Sequence, residues 1–125
     1  MNTAITVIQV VLGVVITVGG LLKLILPYDK YSSISVVAWS KDFKPEHIHL
    51  LGVLEVFGGV GLVVPLLLNS LTMLAPLAGV GIALYMAGAM ATHLRRSEYG
   101  IMIGNLMFVG AALFVAYSKL VGFTV

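Results

Sequence analysis

Four residues stand out in a chain where little else could do chemistry: Lys23, Glu55, His93 and Asn105, each the conspicuous polar residue of a long apolar stretch. An ammonium, a carboxylate, an imidazole and a carboxamide can bind a polar head group, exchange protons or pair with one another. Glu55 poses the sharpest question, because it interrupts HLLGVLEVFGGVGLVVPLLL, a run otherwise suited to the interior of a bilayer. A charge at the centre of a membrane helix costs roughly 2.5–3.5 kcal/mol on insertion scales. Pairing with Lys23 offsets that cost; protonation of Glu55, which then donates a hydrogen bond, is the alternative.

The elements that hold these residues follow from composition. The 125 residues are 60% hydrophobic and 10% charged, with a mean hydropathy of +1.11. Soluble domains carry about 25% charged residues, and one this small could not hide so much apolar surface. The expected fold is all-α, a polytopic membrane protein forming one domain over 1–125. Four apolar segments, about 3–27, 48–68, 71–93 and 101–121, are joined after the first by an interfacial loop over 28–47. Each approaches the roughly 20 residues a bilayer core requires. Pro27 ends the first, Pro45 opens the second from a first-turn position that tolerates proline, and Asn69-Ser70 turns the chain into the third. In lipid the backbone must bond within its own segment, so all four are helices. Short connections make antiparallel neighbours, hence a four-helix antiparallel bundle. No Lys or Arg precedes Lys23 and no A-x-A site follows, so the N-terminal stretch reads as a membrane helix and not a cleaved signal.

Lys30, Lys41, Lys44, Arg95 and Arg96 lie in loops 1 and 3, against Lys119 on the other side. By the positive-inside rule, loops 1 and 3 are cytoplasmic and both termini outside. At about 1.5 Å per residue, Lys23 and Asn105 lie about 6 Å and Glu55 about 10 Å from that side, with His93 at its helix end. The four therefore share one leaflet. Small residues accompany them: Gly52, Gly58 and Gly59 around Glu55, Gly19 and Gly20 a turn before Lys23 with Gln9 near the same face, and Ala112 and Ala116 below Asn105. Small residues let helices approach closely, so the polar groups are expected to face inward.

Two readings of this cluster stay open. It can be a packing device that sets helix register, or a site for a ligand or protons, as intramembrane ionisable residues usually are. Trp39, His49 and Tyr85 are secondary candidates. Trp39, with Tyr31 and Ile34, suits an interfacial element; Tyr85, Met86 and Met90 approach His93 along one helix as pocket wall or core. His47 and His49 diverge by about 200° on a helix and cannot easily chelate one ion, so no metal site is expected. The absence of cysteine removes disulfides, thiolate catalysis and a thiol redox centre. A net charge of +2 without a basic run gives no reason to expect nucleic acid. No haem, flavin or nucleotide motif is visible, so no cofactor is expected from motifs. Four helices without an evident repeat speak against a monomeric transporter.

One pattern covers nearly the whole chain: Gly20-Leu21-Leu22-Lys23-Leu24, then a loop with a Trp, then Leu51-Gly52-Val53-Leu54-Glu55-Val56-Phe57-Gly58-Gly59-Val60-Gly61-Leu62, then Leu74-Ala75-Pro76, Ala87-Gly88-Ala89 leading to His93, and Asn105 in the last span. It resembles the DoxX-like family of small four-helix bacterial membrane proteins. The resemblance implies the same bundle, location in the bacterial inner membrane, and Lys23, Glu55, His93 and Asn105 as characteristic positions. It also implies a link to quinones and to membrane oxidoreductase systems, whereas a distantly similar animal protein, NACHO, is an assembly chaperone. Two expectations follow. A quinone or lipid-like molecule binds the polar cluster, which calls for a ring-sized cavity near Glu55. Alternatively the protein is an assembly or interaction module, pairing with a partner protein or a second copy, with its interior tightly closed. Membrane lipid surrounds it in either case.

Overall fold

The computed structural model describes residues 3–68, 70 and 72–121. Its elements are α1 (Thr3–Ile25), α2 (Tyr28–Ser32), a 3-10 segment (Ser35–Asp42), α3 (Pro45–Leu68), α4 (Leu74–Arg95) and α5 (Tyr99–Leu120), with no strand among the described residues. Four of these helices, α1, α3, α4 and α5, are long and apolar enough to cross a membrane. Their outward faces carry exposed aliphatic and aromatic side chains such as Val11, Ile25, Phe57, Leu67, Leu84 and Met107. In water such a surface would drive aggregation; in a bilayer it is the surface that lipid requires.

The boundaries depart from the expected segments in three places. Proline occupies the first position of α3, three residues before the apolar run begins, because that position needs no amide donor. α4 starts at Leu74 instead of near 71, and Asn69 of the expected Asn69-Ser70 turn lies outside the described residues. Loop 1 is ordered into α2 and the 3-10 segment, fastened where the Tyr28 hydroxyl donates to the carbonyls of Phe43 (2.7 Å) and Ser40 (3.2 Å).

Packing within the bundle is uneven. The tightest pairs are α1 with α3 and α4 with α5, while α3 with α4 and α1 with α5 touch less. The α1–α3 pair is antiparallel and close enough to bring backbones into contact at two levels. A Cβ on Gly20 would fall 2.7 Å from the Gly52 carbonyl oxygen, and one on Gly52 would fall 2.9 Å from that of Gly20. Seven residues away on each helix, a Cβ on Gly59 would fall 2.6 Å from the Gly13 oxygen. The seven-residue spacing returns small residues to the same seam after two turns, the geometry of a left-handed crossing. Pro65, inside α3, has no amide to offer, and nearby the Gln9 side-chain amide donates to the Leu62 carbonyl at 2.6 Å. Gln9 is thereby fully buried on the same inward face of α1 as Lys23, as the sequence placed it, but about four turns away along the helix. On the other side, Gly79 packs against Ala112 and Ala116.

Gly20→Leu should separate α1 from α3 and lower stability by about 1–3 kcal/mol or more, because backbone cannot yield as a side chain can. Gly104→Ala, whose Cβ would meet nothing within 4 Å, should stay within about 0.5 kcal/mol of the parent. Thermal unfolding in detergent, followed by Trp39 fluorescence, reads both.

Candidate functional site

Between the two tight pairs lies a cavity of about 530 Å³. Its wall includes Lys23 from α1, Trp39 from the 3-10 segment, Glu55 from α3, Tyr85 and His93 from α4, and Asn105 from α5. Six of the seven residues singled out by sequence thus share one cavity. The seventh, His49, does not: it is exposed on α3, as is His47, because the turn that buries Ile48 carries its neighbours outward. Phe43 and Thr92 also line the cavity and carried no signal in the sequence, while Gly88, another lining residue, was marked there only within the Ala87-Gly88-Ala89 run.

The pairing expected of Lys23 and Glu55 is present. Nζ lies 2.6 Å from Oε1, with both side chains 7% exposed. The glycine crossing produces this geometry: Lys23 sits against Gly52, and Glu55 follows one turn later on the same face of α3. The Tyr85 hydroxyl donates to the same Oε1, so α1, α3 and α4 converge on one carboxylate oxygen. The other oxygen, Oε2, faces Gly19, where a Cβ would approach it to 3.0 Å. The ammonium also lies 5.6 Å from the Tyr31 ring centre and 5.7 Å from that of Trp39, within cation–π range. Loop 1 therefore does not merely anchor at an interface; it folds Tyr31 and Trp39 over the charge.

His93 is fixed by a helix C-cap. Glu98 N–H bonds the His93 carbonyl at 2.9 Å and Ser97 N–H bonds that of Leu94 at 3.1 Å, with Ser97 at φ 59°. This is the Schellman arrangement that closes a helix through a left-handed residue. It turns the Glu98 side chain back onto the imidazole, 2.9 Å from Nδ1. With Nδ1 engaged by a carboxylate, Nε2 is the nitrogen left for the cavity, and Trp39 packs edge-on against the ring. Arg96 extends the cluster, placing Nη1 2.9 Å from Asp42 in loop 1 and Nε 3.3 Å from Glu98. The hydrogen bond from His93, followed by Arg96, holds the Glu98 carboxyl below its ordinary range. Asp42, Arg96 and Glu98 were not foreseen, since residues 54 positions apart meet only once the bundle is assembled.

Asn105 completes the wall. Its Nδ2 is buried and has no hydrogen-bond partner among the described residues. A buried donor left unpaired costs about 1–3 kcal/mol. The site thus combines a neutralised ion pair, a phenol, an oriented imidazole and one unused donor within an otherwise apolar enclosure.

A model of the DoxX-like family matches residues 7–116 of the chain. No curated protein and no solved structure matches it.

Lys23→Met leaves the Glu55 carboxylate buried without its cation and should cost about 3–5 kcal/mol, whereas Lys23→Met with Glu55→Gln should recover most of that loss. A double-mutant cycle on thermal unfolding measures the difference. At the loop, a carboxyl depressed in the folded state stabilises above its unfolded value, near 4.3, and that contribution is lost as pH falls through the folded value. Glu98→Gln should therefore lower the melting temperature at pH 7 relative to the parent, with the gap closing as the pH falls below the unfolded value and through the depressed folded one.

Proposed function

This chain belongs to the DoxX-like family, and we propose that it holds a small amphipathic molecule, a quinone or a lipid-like head group, in the cavity beside Glu55. The observation that carries the reading is an open space of about 530 Å³ whose wall includes Asn105, a residue whose Nδ2 has no hydrogen-bond partner among the described residues. Small-molecule sites commonly measure about 300–1,000 Å³, mostly apolar with a few placed polar groups. A carbonyl or phenolic oxygen on the ligand accepts from Asn105, and Trp39 and Phe43 offer faces to a flat ring. Lys23 balances Glu55, so the pocket stays neutral overall and receives an uncharged head group. His93, oriented by Glu98, is the group suited to give or take a proton at that oxygen. The chain carries no cysteine and no motif for an electron carrier. If the bound molecule is reduced or oxidised, a partner protein supplies the electrons, which makes this protein accessory to a membrane oxidoreductase system. The excess of Lys and Arg in loops 1 and 3 orients the site toward the cytoplasmic leaflet of the bacterial inner membrane, with both termini outside.

The closed Lys23–Glu55 pair supports a second reading, an assembly or interaction module whose polar cluster is structural and whose outer faces meet a partner protein or a second copy. The two differ over the cavity: packing alone gives no reason to leave it open.

Native mass spectrometry with identification of the released small molecules tests the choice. The parent should release a quinone or a defined lipid, and Asn105→Leu and Gly88→Leu should not. Gly88 suits this test because it lines the cavity and its Cβ would meet nothing within 4 Å, so leucine there has open space to enter. Identical adducts on all three proteins, or none on the parent, would favour the structural reading.

A further inference from the structure

A second cavity, of about 580 Å³, lies between α3 and α4. It meets the first at Ile16, Glu55, Leu84 and Tyr85, which line both. Everything else on its wall is apolar or small: Leu54, Phe57, Gly58, Gly61, Leu77 and Ala78 among them. The two spaces lie at different depths. The polar cavity gathers residues near the loop end of the bundle. The apolar one runs from Leu84 back to Leu74 along α4, about 15 Å at helical rise, toward the opposite leaflet. Its rim is open to lipid, since Phe57, Leu77 and Leu84 are 72%, 64% and 70% exposed. Gly81, on its wall, has nothing within 4 Å of where a Cβ would stand.

We propose that this groove holds the hydrocarbon chain of the molecule whose head group occupies the first cavity, with Tyr85 standing at the junction. The inference rests on the head-group reading above. A head beside Asn105 and Glu55 has polar walls on its loop side, namely Lys23, Trp39 and His93. Its chain must leave by an apolar route, and the groove that begins at Tyr85 is one. Tyr85 sets the boundary: its ring borders both spaces while its hydroxyl is held on Glu55. A chain laid along α3 and α4 reaches the bilayer without lifting loop 1, which stays clasped through Arg96 and Asp42. The ligand class this selects is a single-chain amphipath with an uncharged, hydrogen-bond-accepting head.

The test uses the full-length protein in nanodiscs and two probes. One is a methylated benzoquinone with a ten-carbon tail ending in a diazirine; the other is the same ring without a tail, as competitor. After irradiation, label is expected on groove residues, Phe57, Leu77 and Ala78 in particular. Excess tailless ring should remove it, and Gly81→Leu should abolish it while the tailless ring still binds. Label that is competed by the ring but sits elsewhere, on the outer face of α5 for example, overturns the groove and leaves the head-group site standing. Label that the tailless ring cannot displace overturns the head-group reading and the groove with it. A Gly81→Leu protein that changes oligomeric state yet labels like the parent identifies the groove as a helix-docking seam and overturns the inference.

Discussion

The backbone contact between α1 and α3 is the constraint from which the rest follows. Gly20 against Gly52 and Gly13 against Gly59 bring two helices closer than any side chain would permit. Lys23 and Glu55 flank the Gly20–Gly52 contact, one turn to either side of it in this antiparallel pair, so the 2.6 Å separation of their charged groups is set by the glycines as much as by charge. In lipid, attraction between apolar helices gains nothing from expelling water, and shape must supply what the hydrophobic effect supplies in solution. The ion pair then has two functions at once. It removes two charges from the apolar phase, and it fixes the sliding register of two helices whose other faces are nearly featureless.

The second tight pair, α4 with α5, is built on the same principle through Gly79, Ala112 and Ala116. Between the pairs the packing is thinner, and both cavities lie there. A Cβ at Gly81 or Gly88 would meet nothing within 4 Å, so a larger side chain there has open space to enter. Empty volume forfeits dispersion energy, so a sequence selected for rigidity alone would have closed it. The Tyr85–Glu55 hydrogen bond carries polar contact from the α1–α3 pair into α4 at mid-bundle, while Arg96 and Asp42 join the loops at the end of the bundle.

Much of this was legible in the letters. Four helices follow from apolar runs of membrane length, and Lys23, Glu55, His93 and Asn105 are conspicuous because charge and amides are rare there. The rise per residue was enough to expect them near one end of the bundle, and the four do line one cavity. What the letters withheld depends on rotation and on loops. The register that sets Gly20 against Gly52 and Gly13 against Gly59 is a property of two helices, not of either one. The wall residues Phe43 and Gly88 look like any apolar or small residue until facing helices are in place. Trp39 read as an interfacial anchor, yet the path of loop 1 swings it onto the Lys23 ammonium. The clasp of His93 by Glu98 had a local trace, a carboxylate five residues on across a turn, but only the left-handed Ser97 aims it back.

The buried pair also imposes an order in time. Lys23 leaves the ribosome 32 residues ahead of Glu55, so α1 must enter the membrane while its cation has no counter-ion. Lysine suits that interval. Its flexible stem lets the head wait at the nearby water interface until α3 arrives, then draws inward as the carboxylate takes its place. A glutamate synthesised first could not wait so, because its short stem reaches no interface from Glu55's depth. The asymmetry of the pair, long cation early and short anion late, thus fits the direction of synthesis as well as the finished bundle.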